Sequence, residues 1–246
     1  MTYRFVDCAY ELDRPAAGRE RYLEAHVPGA SFLGLAGDLS DLSIPDQGRH
    51  PLPCAESFAA AASRAGIGDG VFAVAYDHGA GGGAARLWWL LRHFGHEDVA
   101  VLRGGFGAWL GPVRAGEEEI EAAEFVPRPR EGDTIDGDEL LARLGEPGLV
   151  VVDARVPERY RGEVEPLDPV AGHVPGAVNW PYTEADAGAV PGEILEGGEV
   201  VVYCGSGVTA CVDLLALHEA GRPDAKLYPG SWSQWSRRGL PVQTGA

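Results

Sequence analysis

The sequence predicts an α/β protein built from two similar halves, each a mainly parallel β-sheet flanked by helices on both faces. Three observations carry this reading. Short β-branched runs alternate with helical patterns along the chain. The string His-Val-Pro-Gly-Ala occurs at 26–30 and again at 173–177. Other landmarks recur around each copy in the same order, as a duplicated domain requires and a chance pentapeptide does not.

Taken in order, the first half opens with a strand around Phe5 to Cys8, a helix near Arg19 to Glu24 and the first copy of the string. Asp7, after Phe5 and Val6, matches Asp153 after the run 149–152. The strand 71–77 matches 199–204, the helix 84–95 matches the one that starts after Thr209, and RGGFGAW at 103–109 matches PGSWSQW at 229–235. Aligned on Tyr76 and Tyr203, the strands put Asp77 where the other half has Cys204. The halves are expected at 1–112 and 133–246. Between them, 113–132 is rich in proline and acid and reads as a linker draped over the surface, with Glu117 to Glu119 as a solvated face. Asp136 and Glu139 form a D-x-x-E start for a helix running to about Leu144. The stretch 37–53 is too polar and proline-broken for regular structure, and long loops of this kind are often functional. The glycine run 79–83 lacks the lysine and Ser/Thr of a phosphate-binding loop and reads as a non-catalytic counterpart of the cysteine loop.

Composition narrows the function. A chain of 246 residues can bury two ordinary cores. A net charge of −17 opposes nucleic acid and anionic membrane surfaces, so no nucleic-acid or membrane partner is expected, and any anion site must be locally positive. No apolar run reaches the ~18 residues of a membrane span, and the N-terminal stretch has neither a basic nor an apolar signal region, so a cytoplasmic location is expected. The four cysteines, Cys8, Cys54, Cys204 and Cys211, are far apart, which suggests neither a disulfide framework nor a metal site.

The chemistry points to 200–211. Val200 to Tyr203 read as a buried strand, and a helical pattern follows Thr209. Between them Gly205, Ser206, Gly207, Val208 and Thr209 form a small-residued loop whose backbone N–H groups can turn toward Cys204, with the partial positive charge of a helix N-terminus added. Such a cradle favours an anion and makes Cys204 a candidate nucleophile. The plainer alternative is a buried structural cysteine, which would not call for this loop. Cys211, inside the helical pattern, reads as core. So do Trp88, Trp89, Trp109 and Trp235, while His26 and His173, within the repeated string, read as fold residues.

The paired HVPGA strings, GGFGAW and GSWSQW, Asp153 to Arg155 and CGSGVTAC together resemble the rhodanese family of sulfurtransferases in its two-domain form. The resemblance covers nearly the whole chain. It implies an inactive N-terminal and an active C-terminal rhodanese-like domain. It further implies that the loop cysteine takes a sulfane sulfur from a small anionic donor, becomes a persulfide and passes the sulfur to cyanide or a thiol, possessed by a small molecule or an acceptor protein. No cofactor is called for. By resemblance Arg159 binds the donor, Arg155 makes a structural ion pair, and Asp38, His50 and Ser206 form a relay whose first two members come from the 37–53 loop and reach Cys204; the alternative for His50 is an exposed loop histidine. The donor stays open between thiosulfate and 3-mercaptopyruvate. The CGSGVTA loop matches the mercaptopyruvate type, but the second arginine of that type, nine residues after the first, is Asp168 here. The thiosulfate type often has basic loop residues, where this chain has Gly205 and Ser206.

Two other functions fit parts of the pattern. A Cys-dependent phosphatase needs an arginine six positions after the cysteine to grip phosphoryl oxygens, and position 210 is Ala. A non-catalytic binding module would explain the loss of cysteine at Asp77 but not the retention of CGSGVTAC.

Overall fold

The computed structural model describes residues 2–79 and 81–245, so Ala80 of the glycine run lies outside the described residues, as do Met1 and Ala246. The chain divides into two compact units, one of Met1–Leu42 with Leu52–Arg130 and one of Ser43–Pro51 with Glu131–Ala246. Nine residues of the first-half loop thus belong to the second unit.

In the first unit β1 (Thr2–Asp7), β2 (Ser31–Phe32), β3 (Val71–Tyr76) and β4 (Val99–Val101) form a parallel sheet in the order β2-β1-β3-β4. Its helices are α1 (Ala17–Glu24), α2 (Ala55–Arg64) and α3 (Gly82–His93). The second unit repeats the plan. Strands β5 (Leu149–Asp153), β6 (Val178–Asn179), β7 (Glu199–Tyr203) and β8 (Lys226–Leu227) lie parallel in the order β6-β5-β7-β8. They are accompanied by α4 (Gly137–Arg143), α5 (Pro157–Tyr160), α6 (Gly192–Leu195), α7 (Ala210–Glu219) and α8 (Ser231–Arg237). The central strands are β-branched because a parallel sheet flanked by helices offers no solvated face; Val200, Val201 and Val202 are fully buried. Asp136 caps α4 through the N–H groups of Asp138 and Glu139, both at 2.8 Å. The Glu139 carboxylate goes to Arg143 at 3.3 Å, making an i,i+4 pair on the same helix.

The repeated string has a physical explanation that is the same in both units. His26 Nδ1 lies 2.7 Å from the carbonyl of Tyr22, and His173 Nδ1 lies 2.7 Å from that of Tyr160. Each imidazole stacks on that tyrosine, with centroids 4.2 and 3.9 Å apart. The tyrosine hydroxyls donate to the carbonyls of Ala30 (2.8 Å) and Ala177 (2.7 Å). The N–H groups of Val27 and Val174 donate to the hydroxyls of Tyr76 and Tyr203, the last residues of β3 and β7. The string therefore locks an edge turn to the central strand that leads into the cysteine position.

Two expectations about the first unit are corrected. Residues 113–130 have no regular structure and run over the surface, as read from the sequence, but they do not lie there unattached. Arg114 bridges to His26, the N–H of Ala123 donates to the carbonyl of Ser63, and that of Arg128 donates to the carbonyl of Phe94. Phe125 is buried edge-on against Phe58. Nor is the acidic run simply a solvated face. The Glu118 side chain is 9% exposed and accepts from the N–H of Gly29 at 2.8 Å. That bond, with His26 and Arg114 beside it, holds its carboxyl below the usual range. Glu117 pairs with Arg19. Trp88, Trp89 and Trp235 are core residues as expected, whereas Trp109 is half-buried, edge-on to Phe5, and donates to the carbonyl of Pro112 at 2.8 Å.

Candidate active site

The register of the second sheet sets the site. Asp153 pairs with Tyr203 at the carboxyl ends of β5 and β7, where ligands of such sheets collect, and the next residue of β7's chain is Cys204. Tyr203 donates to Asp153 Oδ2 at 2.6 Å; burial, and then the Asp153 charge, push its pKa up, so the phenol keeps its proton. Arg155 grips Asp153 through Nε (3.0 Å) and Nη2 (2.5 Å) and lies over Trp232 at 4.7 Å. It is structural, as expected.

The loop turns tightly. Gly207 has φ +76°, and a Cβ there would stand 2.7 Å from the carbonyl oxygen of Pro229, so only glycine fits. This turn aims its N–H at Cys204 Sγ, 3.2 Å away. The carbonyls of Cys204 and Gly205 are taken by the N–H groups of Trp232 (3.0 Å) and Ser233 (2.9 Å) in the first turn of α8. Ser231 supports the loop from a strained conformation, φ +51°. Its hydroxyl accepts from the N–H of Cys204 (3.2 Å) and donates to the carbonyl of Tyr228 (2.9 Å). Cys204 is 1% exposed, and Gly205, Ser206, Gly207 and Val208 are buried, while Thr209 is half-buried ahead of α7. Cys211 is core, its thiol 3.4 Å from the carbonyl of Gly207.

Residues 43–51 are fastened to α8. Gln234 Nε2 donates to the carbonyl of Asp46 at 2.8 Å, and the N–H of Arg49 donates to the Ser233 hydroxyl at 3.0 Å. Gly48, with φ +90°, passes so close that a Cβ would stand 2.6 Å from the carbonyl oxygen of Gly230. Fastening this segment delivers two side chains. His50 Nδ1 lies 2.9 Å from Ser206 Oγ, joining two members of the expected relay. Arg49 reaches Gly205, where a Cβ would meet Arg49 Nη2 at 2.8 Å and Arg159 Nη1 at 3.2 Å. Asp38, the remaining relay candidate, lies in the first unit, where it accepts from the N–H of Gly34 (2.8 Å) and pairs with Arg64 (2.7 Å).

Arg159 is therefore beside the cysteine loop, and it is held there. Glu165 grips it at 2.7 Å and Asp168 at 3.3 Å, and Asp168 also pairs with Arg49. Both acid side chains are almost wholly buried. Sequence reasoning missed Arg49 and Glu165. The available signal for Arg49 was a rare base in an acidic chain, next to His50 and preceded by glycine. Also unforeseen is Asp213, fully buried in α7, with no hydrogen-bond partner on either carboxylate oxygen among the described residues. Burial, and then the nearby Cys204 and Asp153, push its pKa well up.

In the first unit the equivalent loop is filled. The Asp77 carboxylate accepts from the N–H groups of Gly79 (3.0 Å), Gly81 (3.2 Å), Gly83 (3.0 Å) and Ala84 (3.2 Å). Asp7, the counterpart of Asp153, accepts from His78 at 2.9 Å. Among the described residues no group of His, Cys, Asp and Glu is placed to hold a metal ion, and no helix is long and apolar enough to cross a membrane.

Residues 3–111 and 136–238 each match the rhodanese-like domain. The "Probable 3-mercaptopyruvate sulfurtransferase" of Pseudomonas aeruginosa is 43% identical over an alignment 262 positions long, gaps included, that spans 98% of this chain and 92% of the relative. SseB of Mycobacterium tuberculosis, provisionally assigned as a thiosulfate sulfurtransferase, is 42% identical over 94% of this chain and 87% of its own. The crystal structure of the Escherichia coli 3-mercaptopyruvate sulfurtransferase SseA superposes with a TM-score of 0.79 at 33% identity, over 94% of this chain and 93% of that one.

Proposed function

The chain belongs to the rhodanese family in its two-domain form and is a sulfurtransferase, and from that premise we propose that Cys204 carries the sulfur, with 133–246 as the catalytic domain, 1–112 as the inactive one and 113–132 joining them. The observation that carries the assignment is the Gly207 N–H aimed at Cys204 Sγ, with two guanidiniums at the adjacent Gly205. A main-chain N–H and flanking cations stabilise a thiolate and, after transfer, a persulfide anion. The backbone of Gly205, Ser206, Gly207, Val208 and Thr209 is assigned as the cradle.

In the first half-reaction the Cys204 thiolate attacks the transferable sulfur of the donor, the outer sulfur of thiosulfate or the thiol sulfur of 3-mercaptopyruvate. The new S–S bond leaves a persulfide anion on Cys204. With thiosulfate the S–S bond of the donor breaks and sulfite departs with the electron pair. With 3-mercaptopyruvate the C–S bond breaks, and the enolate of pyruvate takes up the proton that the donor thiol has lost. The hydrogen-bonded pair Ser206 and His50 is assigned to hold that proton. In the second half-reaction cyanide or a thiol, of a small molecule or an acceptor protein, removes the outer sulfur and restores the thiolate, which predicts ping-pong kinetics. Arg159 anchors the donor's anionic end, and Arg49 shares that role from the 43–51 segment. A working thiol among four free cysteines suits a reducing compartment, so we place the enzyme in the cytoplasm.

The test is Cys204→Ser, assayed with both donors against cyanide. Transfer falls to background with each; activity with either donor overturns the assignment.

A further inference from the structure

We propose that Asp168 sets which donor charge the site accepts. It fixes Arg49 and Arg159 in place beside the cysteine loop while cancelling part of their charge, so that a monoanionic keto-carboxylate is preferred to a dianionic inorganic sulfur donor. The inference rests on the assignment of Cys204 as the sulfur carrier.

The geometry is specific. One oxygen of Asp168 takes Nη1 of Arg49 and the other takes Nη2 of Arg159, at 3.3 Å. The Asp168 side chain is fully buried, so neither bond is shared with bulk water. Its own position is set by Glu165, whose Oε1 accepts the N–H groups of Leu167 (3.1 Å) and Asp168 (3.2 Å) and whose carboxylate grips Arg159. Arg49 Nε is buried and has no hydrogen-bond partner among the described residues, which leaves a donor unused on the guanidinium beside Gly205. The two cations come from segments outside the loop, and they come so close to Gly205 that a side chain at that position would have to displace the end of Arg49.

Charge then decides the preference. Two guanidiniums face two carboxylates, so the four side chains together carry no net charge. A monoanion entering beside them is held by directional N–H donors from the loop and the arginines, and leaves one negative charge in the site. A dianion leaves two in a poorly solvated place, where the further guanidinium, that of Arg155 at 3.2 Å from Glu165, is already neutralised by Asp153. Replacing Asp168 by its neutral isostere adds one positive charge and favours the dianion. Loosening of the arginines in the same variant weakens the hold on a dianion at least as much as on a monoanion, so it cannot by itself produce a shift toward the dianion.

The experiment compares kcat/KM for 3-mercaptopyruvate and thiosulfate, with cyanide as acceptor at one pH and ionic strength, in the wild-type chain, Asp168→Asn, Asp168→Glu, Glu165→Gln and Cys204→Ser. Asp168→Asn shifts the ratio toward thiosulfate by about tenfold, the effect of one unit charge acting across a partly screened distance. Glu165→Gln, which also removes one carboxylate charge, shifts it the same way and serves if the first variant does not fold. Asp168→Glu keeps the ratio while lowering turnover with both donors. Where turnover is too slow to follow, the ratio is read from the concentrations of sulfate and pyruvate that protect Cys204 from alkylation, with the same expected shift. An unchanged ratio in folded Asp168→Asn or Glu165→Gln overturns the proposal and makes Asp168 merely structural. Activity in Cys204→Ser is a separate failure, that of the sulfur-carrier assignment itself.

Discussion

The loops after β3 and β7 are the same device in two states. Both follow the central strand, both are glycine-rich, and both direct main-chain N–H groups at the residue after a buried tyrosine. In the first unit that residue is Asp77, whose fixed carboxylate is held by four N–H groups. In the second it is Cys204, which meets the N–H of Gly207 and lies near two arginines. The carboxylate shows what the loop is built to hold, which is negative charge. Replacing it with a thiol makes that charge conditional, present as thiolate or persulfide and absent as thiol, and a conditional charge can do chemistry. The difference extends to the support. The Asp77 carbonyl accepts from the N–H of Phe106, next to Gly105 at φ +59°, and the Cys204 carbonyl accepts from Trp232, next to Ser231 at φ +51°. The copy that carries the cysteine accepts strain at a serine whose hydroxyl then braces Cys204.

The largest effect that sharpens this contrast is Cys204→Asp, which should turn the second loop into a copy of the first: a folded chain, unchanged in near-UV circular dichroism, with sulfur transfer at background. Asp77→Ala does the opposite. It strips an anion from four N–H groups and should cost the first unit at least about 3 kcal/mol, read as an earlier first transition in urea, while leaving kcat intact. Arg159→Ala removes a contact to the remote end of the donor, so KM for the donor should rise by roughly ten- to a hundredfold with little change in kcat. Gly207→Ala forces φ +76° on an alanine and drives a methyl toward Pro229. It should cost about 1–2 kcal/mol or more in stability and turn the N–H away from Cys204, so that sulfur transfer slows with both donors.

Asp213 is expected to have the smallest effect, and its sign is opposite. Its folded pKa is raised, so the folded chain keeps a proton that the unfolded chain releases above about pH 4. That releases stability as pH rises from about 4 toward the folded pKa. Asp213→Asn should therefore be more stable than wild type near neutrality by about 1–2 kcal/mol, with the gap closing at pH 4. A gap independent of pH would show that Asp213 does not titrate in the folded chain as described.

Much of this was legible in the chain itself, for local reasons. A strand, a glycine-rich turn and a helix start are contiguous, so Cys204 and its loop could be read directly, and duplication exposed Asp77 as the counterpart. Arg155 was legible because it grips Asp153 two residues back, and the histidines because their string is repeated. What escaped reading depends on segments far apart in sequence. Arg49 meets Asp168 only because Gly48 lets 43–51 lie against Gly230, and Glu165 matters only because Arg159 folds back on it. Glu118 looked solvated as one of three acids, yet it alone meets the N–H of Gly29. Asp213 falls in a helical pattern where its neighbours, Leu214 and Leu217, gave no sign of a buried acid.

The central claim is that sulfur resides on Cys204 between half-reactions. The direct measurement is mass spectrometry of the full chain incubated with donor and no acceptor, followed by peptide mapping. The account predicts a gain of one sulfur atom per chain, confined to the peptide containing Cys204, and its loss when cyanide is added. Sulfur on Cys8, Cys54 or Cys211 instead, or none on a chain that still turns over, would contradict it.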